Sequence, residues 1–193
     1  VAARRKRWTG SQKRFDVNRL VFIDESSAKT NMTRLRGRAL AGHRVRDRVP
    51  HGHWNSTTLL GSLRRDGSTT CLMIEGGTTQ EVFREYVRRI LAPSLRPGDI
   101  VIADNLSSHK DPLSESLIES RGASLQFLPP YSPDFNPIEP MWSKVKQRLR
   151  SAKARTWETL GDAVAQAMES ISAQDAEGWF FYVDIRHLIR EML

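Results

Sequence analysis

The stretch Phe127-Leu-Pro-Pro-Tyr-Ser-Pro-Asp-Phe-Asn-Pro-Ile-Glu139-Pro-Met-Trp142 decides how this chain is read. Prolines at 129, 130, 133 and 137 fix φ and remove backbone donors, so the segment is a stiff turn. It runs into a basic helical pattern and delivers one acid, Glu139, to its start. Two further acids stand where they can meet it. Leu20-Val-Phe-Ile runs into Asp24 and Ile100-Val-Ile-Ala runs into Asp104, and short apolar runs of this kind read as buried strands, each ending on a carboxylate. Three carboxylates gathered in one place usually hold metal.

Each acid also has a local role open to it. An Asp after a strand commonly begins a turn, because its short side chain bonds nearby backbone N–H groups. Asn136-Pro-Ile-Glu139 fits a capping box with Pro at the first helical position. Residue by residue, turn and cap chemistry accounts for all three.

Taken together, the segments carry more. Val21-Phe-Ile-Asp-Glu-Ser26, Gly98-Asp-Ile-Val-Ile-Ala-Asp-Asn-Leu-Ser-Ser-His-Lys110 and the stretch from Leu128 to Trp142 resemble the three catalytic blocks of mariner-superfamily transposases, the bacterial insertion sequence 630 group above all. In that group thirty-four residues separate the second Asp from the Glu, and thirty-four separate Asp104 from Glu139. The resemblance runs from about residue 14 to about residue 175. It implies an α/β ribonuclease-H-like fold, a five-stranded mixed sheet flanked by helices, in which the first and fourth strands are parallel neighbours. It also implies hydrolytic nicking at transposon ends, strand transfer of the 3′-hydroxyl into target DNA, and Asp24, Asp104 and Glu139 as catalytic ligands of Mg²⁺ or Mn²⁺. Two such ions, roughly 3.5–4 Å apart, suffice for phosphodiester chemistry, with Asp24 bridging them. Glu25 is left outside that set, because strand alternation points it away from Asp24. Clustered carboxylates repel one another, so a divalent cation, or Asp104→Asn in its absence, is expected to stabilise the chain.

The local pattern agrees with that fold. Thr57 to Leu63 and Thr70 to Ile74, separated by Arg64-Arg-Asp-Gly67, read as a hairpin. Val82, Phe83, Tyr86, Val87, Ile90 and Leu91 keep helical spacing, with Pro93 and Pro97-Gly98 as its expected end. Helices are further expected over Pro112 to Ser120, from Asn136 and from Trp157, with a strand over Leu125 to Leu128. Such a meander followed by alternating helices and strands packs as one sheet with helical layers.

At 193 residues, 39% of them hydrophobic, the chain can fill one core. The net charge of +8 favours a polyanionic partner, and DNA is expected. Residues 1–19 carry Arg4, Arg5, Lys6, Arg7, Lys13, Arg14 and Arg19 against Asp16 and show no apolar period. They read as a basic arm or linker, with residues 20–175 as the catalytic domain and residues 176–193 as a C-terminal helical extension. The start at Val, straight into that arm, reads as a fragment or the second part of a longer product. The sole cysteine, Cys71, excludes an internal disulfide and fits a reducing cytoplasm. No apolar run suits a signal peptide or a membrane span, so the expected setting is the bacterial cytoplasm at the nucleoid, with a homodimer possible. The competing reading is a DNA-binding remnant of a mobile element that has lost its activity.

DNA contacts are assigned to Arg4, Arg5, Lys6, Arg7, Asn105, His109, Lys110, Lys146 and Arg150. His51 and His53 around Gly52 read as a turn rather than a zinc site. Ile138, Trp142, Val145, Leu149 and Ala152 form an apolar stripe, and Glu139 lies about 100° round from it. Lys146 and Arg150 stack in the column above Glu139, whereas Lys144, Arg148 and Arg155 lie on another flank.

Overall fold

The computed structural model describes residues 1–12, 14–51 and 56–183. Strands β1 (Leu20–Ala28), β2 (Thr57–Arg64), β3 (Thr69–Glu75), β4 (Ile100–Ala103) and β5 (Ser124–Phe127) form one mixed sheet in the order β3-β2-β1-β4-β5. β1 is antiparallel to β2 and parallel to β4, and β4 is parallel to β5. Helix α1 (Ala2–Gln12) precedes the sheet, α2 (Gln80–Tyr86) and α3 (Ala92–Ser94) cross from β3 to β4, and α4 (Pro112–Glu119) joins β4 to β5. Helices α5 (Ile138–Ala152), α6 (Trp157–Glu169) and α7 (Ala173–Tyr182) follow. None of the helices in the described residues is long and apolar enough to cross a membrane.

Period-two alternation splits the core into two layers. Leu20, Phe22, Leu59, Leu63 and Ile102 pack with Trp142, Val145, Leu149, Val164 and Phe180 of α5, α6 and α7. Val21, Ile23, Leu60, Val101 and Ala103 pack with Phe83, Tyr86, Leu91 and Ile118 on the other side. Position 24 therefore falls on the α5 side and position 25 on the α2 side.

The hairpin forms as expected, its turn closed by Gly67 at φ 84°. β1 is longer than expected: Asp24 lies within the strand, not at its end. Pairing with β4 stops at Phe22–Ile102, while β2 satisfies the β1 backbone on to Ala28. Asp24 thus keeps its place beyond the last β4 rung. Helical structure also continues past Pro93 to Ser94 through a π-turn at Val87–Leu91, where the Ala92 N–H bonds the Val87 carbonyl.

Residues 1–19 are not an extended arm. Ala2–Gln12 is helical, as Ala, Arg and Lys favour, and Trp8 is 8% exposed, packed on Phe15 and joined to the α5 side of the core. A single buried aromatic in the whole of this basic helix leaves no apolar period to read. The expected C-terminal extension also starts inside an element, because Ser172 caps α7 from Ala173 and Phe180 is fully buried edge-on to Phe22, 5.4 Å between ring centres. Residues 184–193 of that extension, together with Lys13 and His53, lie outside the described residues.

Candidate active site

Asp24, Asp104 and Glu139 line one cleft of about 500 Å³, with Asn105, Asn136 and the turn from Leu128 to Pro133 as its walls. Asp24 comes from β1 on the α5 side and is 9% exposed. Asp104 follows β4 directly, and its Oδ1 accepts the Leu106 N–H at 3.0 Å, so the local turn chemistry is present as well as the cleft position. Glu139 sits in the first turn of α5. The capping box does not form there: Pro137 occupies the cap position without a side-chain cap bond, and the Asn136 carbonyl oxygen of the side chain accepts the Ile138 N–H at 3.4 Å. The Glu139 carboxylate is left facing the cleft.

Of the other expected DNA contacts, Asn105 belongs to this cleft and donates its side-chain amide to the Leu128 carbonyl, tying the β4 loop to the Pro-rich turn. Arg4 and Arg7 line an adjoining cavity, and exposed Lys6 lines neither. Arg5 is engaged: it bonds Ser132 at 2.8 Å, forms a two-pronged pair with Asp134 at 2.5 and 2.9 Å, and stacks over Phe135. Lys110 is exposed. Lys146 and Arg150 are half-buried and do not line the cleft. Their flank does differ from that of Lys144, which bonds Asp175 at 2.5 Å and the Ser170 carbonyl at 3.1 Å, and Arg155 likewise serves the fold by bonding the Thr30 and Met32 carbonyls.

His109 is not a surface contact at all. It is fully buried against Phe83, its Nε2 3.1 Å from Glu25 Oε1 and its Nδ1 2.7 Å from Asp104 Oδ1. The second approach is short but out of line for a hydrogen bond, so it is chiefly a charge contact. Glu25, Asp104 and His109 thus form a chain under the cleft floor. The signal for Glu25 was strand alternation, which sends it to the α2 side where His109 waits; the pairing spans 84 positions and has no sequence trace.

The charges follow from these neighbours. Burial, with Glu139, Asp104 and Glu25 adding repulsion, lifts the Asp24 carboxyl to about 8. For Asp104 burial pulls upward too, yet His109, the Leu106 N–H and Lys110 hold it below the usual carboxylate range. His109 is opposed by burial but lifted to about 9 by Asp104 and Glu25. Among the described residues no basic side chain lines the three-acid cleft. Tyr131 stands at its lip, 90% exposed and held at φ 56°.

A family model described as DDE superfamily endonuclease matches residues 19–161, most of the chain. The chain belongs to that family. No curated protein matches it in sequence. Among solved structures, the Mos1 transposase paired-end complex with left transposon end is similar over 98% of this chain and 60% of that one, at 14% identity and TM-score 0.73. The Mos1 mariner transposase catalytic domain matches at 12% identity and TM-score 0.61, over 98% of this chain and 90% of that one. The catalytic core domain of BIV integrase matches at 15% identity and TM-score 0.53, over 90% and 99%. These likenesses give the same fold, a mixed five-stranded sheet flanked by helices, and the chain spans about 60% of the length of the Mos1 chain in that paired-end complex.

For a DDE superfamily endonuclease the donor set matters. Among the described residues no group of three His, Cys, Asp or Glu side chains stands arranged to hold a metal ion. Hard divalent cations do not need one: Mg²⁺ takes one or two carboxylates and completes its shell with water and phosphate oxygens. Three carboxylates on one cleft, with no basic side chain among them in the described residues, and an Asp24 pushed up by burial and then by Glu139 and Asp104 fit such an ion.

Proposed function

We propose that this endonuclease is a transposase catalytic domain of the insertion sequence 630 type, cutting DNA at transposon ends and joining the 3′-hydroxyl to target DNA. The observation that carries the reading is the convergence of Asp24, Asp104 and Glu139, from β1, the end of β4 and the start of α5, on one cleft. Those three residues would hold Mg²⁺ or Mn²⁺, two ions in this reading. Bound, the cations supply Lewis acidity for the attacking oxygen and neutralise charge on the phosphate. The Mos1 relatives named as complexes with Mn and with Mg support this choice of cation.

The chain's own residues do the rest. Asp24 must lose its proton to act as a ligand, and burial makes that loss depend on the cation's arrival. Glu25 and His109 hold Asp104 from below, fixing its carboxylate before substrate enters. The Pro-rich turn, stiff and tied to Asn105, sets where α5 begins and so where Glu139 stands. The reading further sets the chain's work at the DNA of the bacterial nucleoid.

Cleavage of a supercoiled plasmid in Mg²⁺, Mn²⁺ or Ca²⁺ tests the reading. Mg²⁺ and Mn²⁺ should support nicking and Ca²⁺ should not, and Asp24→Asn, Asp104→Asn and Glu139→Gln should each abolish it. Nicking that survives Glu139→Gln would remove that residue from the site, and a wild-type chain inert in both metals would favour the silent DNA-binding remnant.

A further inference from the structure

The three-acid cleft continues into a second cavity of about 610 Å³, and the two share Asn105 and the run Leu128-Pro129-Pro130. The far wall is α1. Arg4, Arg7, Trp8 and Ser11 recur at steps of three, one and three, which places them on a single helix face, and Arg14 and Phe15 extend it. Among the described residues no acidic one lines this groove. Among the described residues none accepts a hydrogen bond from the guanidinium of Arg4, Arg7 or Arg14 or forms an ion pair with it, whereas Arg5, one position away, is fully engaged with Ser132 and Asp134. The helix sorts a basic run into one cation that builds the fold and others that face open space.

Uncompensated guanidiniums on one groove repel one another and await an anion. Phe127, Pro129 and Pro130 line the groove together with Trp8, an apolar surface that suits sugar and base faces. From Arg4 to Ser11 the helix advances about 10 Å at 1.5 Å per residue. A strand in B-form geometry carries about three phosphates over that length, at 3.4 Å each. Apolar rings beside the cations suit an unpaired strand, whose base faces are free to pack on them, better than a duplex, whose bases stack on one another.

Resting on the transposase reading above, we propose that this groove binds the backbone of a single DNA strand as it leaves the three-acid cleft, with Arg4 and Arg7 on successive phosphates and Arg14 beyond them. Arg5 and Lys6 take no part in holding that strand. The groove makes the nucleic acid next to the reacting phosphate single-stranded, so strand separation is part of binding rather than a later event.

The test is equilibrium binding of a fluorescent oligonucleotide, as a single strand and as its duplex, by the full chain in EDTA. Metal-free conditions remove cleavage from the measurement. Arg4→Ala/Arg7→Ala should weaken single-strand binding about tenfold and lower the slope of log K against log salt by about 1.4, twice the roughly 0.7 of one single-strand phosphate contact. Lys6→Ala, which removes a charge from the same helix, should change neither by more than about a factor of two. All three positions are exposed, so melting curves should coincide. Equal losses from Lys6→Ala and Arg4→Ala would overturn the groove, as would a double variant that loses duplex binding and keeps single-strand binding. A chain that nicks DNA while indifferent to Arg4 and Arg7 sinks the groove alone; one that binds strands through them but is inert in both metals sinks the transposase reading alone.

Discussion

Burial lifts the Asp24 carboxyl to about 8, and the charges of Glu139 and Asp104 add to it. Between the unperturbed value near 4 and about 8, the folded chain keeps a proton that the unfolded chain has released. Stability from this group is therefore present at acid pH and is lost as pH rises through that window. We expect Asp24→Asn to raise the metal-free melting temperature at pH 8 by about 4–8 °C, for a gain of about 2 kcal/mol in a domain this size. The gain over wild type should shrink toward pH 4, and Mn²⁺ should stabilise wild type more than the variant. A difference between the two proteins that is flat with pH would mean Asp24 ionises freely. The acid that sequence alone marked for this substitution, Asp104, is the wrong one, because His109 and the Leu106 N–H already hold it ionised. His109 is lifted to about 9, so its contribution is complete below about 6.5 and fades as pH passes 9. Replacing it by Ala removes the partner of Glu25 and the ring packed on Phe83 and should cost about 3 kcal/mol in urea unfolding. Adding Glu25→Gln to His109→Ala should recover part of that loss; no recovery would mean the His ring matters only as filling. None of this pairing was legible in sequence, since a buried His and a strand Glu far apart in the chain share no pattern. That Asp24, Asp104 and Glu139 reach one cleft was foreshadowed by the apolar runs leading into the two Asp and by the proline-marked helix start, which are local features, whereas the place of Asp24 inside β1 was not.

At the scale of elements, what could be read was what is written locally. The hairpin carries Asp66-Gly67, and Gly67 supplies the positive φ its turn requires. Helices α2, α4, α5 and α6 carry amphipathic spacing and β4 and β5 apolar runs, so their order implied the sheet. Boundaries were less legible: Ala152, expected on the α5 stripe, is exposed, and Met141 is buried in its stead, because the helix contacts the core over a band wider than one row. The fit of α5 to the sheet depends on Gly61. A Cβ there would lie 2.9 Å from both Trp142 Cη2 and the Thr70 carbonyl, so Gly61→Ala must push α5 off β2. We expect a loss of about 2–3 kcal/mol and a fall in nicking larger than the fraction unfolded, because Glu139 moves with the helix. Activity that simply tracks the folded fraction would show that α5 can shift without disturbing the cleft. On the same helix the cations divide by partner. Lys144→Ala should lower stability by about 1 kcal/mol, through its bonds to Ser170 and Asp175, while Lys146→Ala and Arg150→Ala leave melting unchanged and weaken DNA binding in a salt-dependent way. Equal melting of all three variants would make the Lys144 contacts incidental.

Across the whole molecule, the basic N-terminal segment and the turn that carries Glu139 are one structure. α1 joins the core through Trp8 and reaches the turn through Arg5, so the segment that composition marks as a charged arm is both a layer of the fold and a wall beside the cleft. The two attachments differ in kind. Trp8 buries an aromatic ring, and Trp8→Ala should cost about 3 kcal/mol wherever the resulting space cannot close. The Arg5–Asp134 pair is partly exposed, so solvent and salt screen it and its direct share of stability is small. Its effect is on position: Arg5 grips Ser132, Asp134 and the Phe135 ring, three contacts close together on the turn that ends at α5. Arg5→Ala should therefore lower the melting temperature less than Trp8→Ala yet reduce nicking more, because the turn loses its hold while the core survives. Removing residues 1–12 should combine both losses with the loss of the groove's cations, so weakened DNA binding by that deletion cannot be assigned to charge alone. Measuring melting and nicking side by side separates the contributions. If activity falls in proportion to stability across Trp8→Ala and Arg5→Ala, α1 acts on the cleft only by helping the chain to fold.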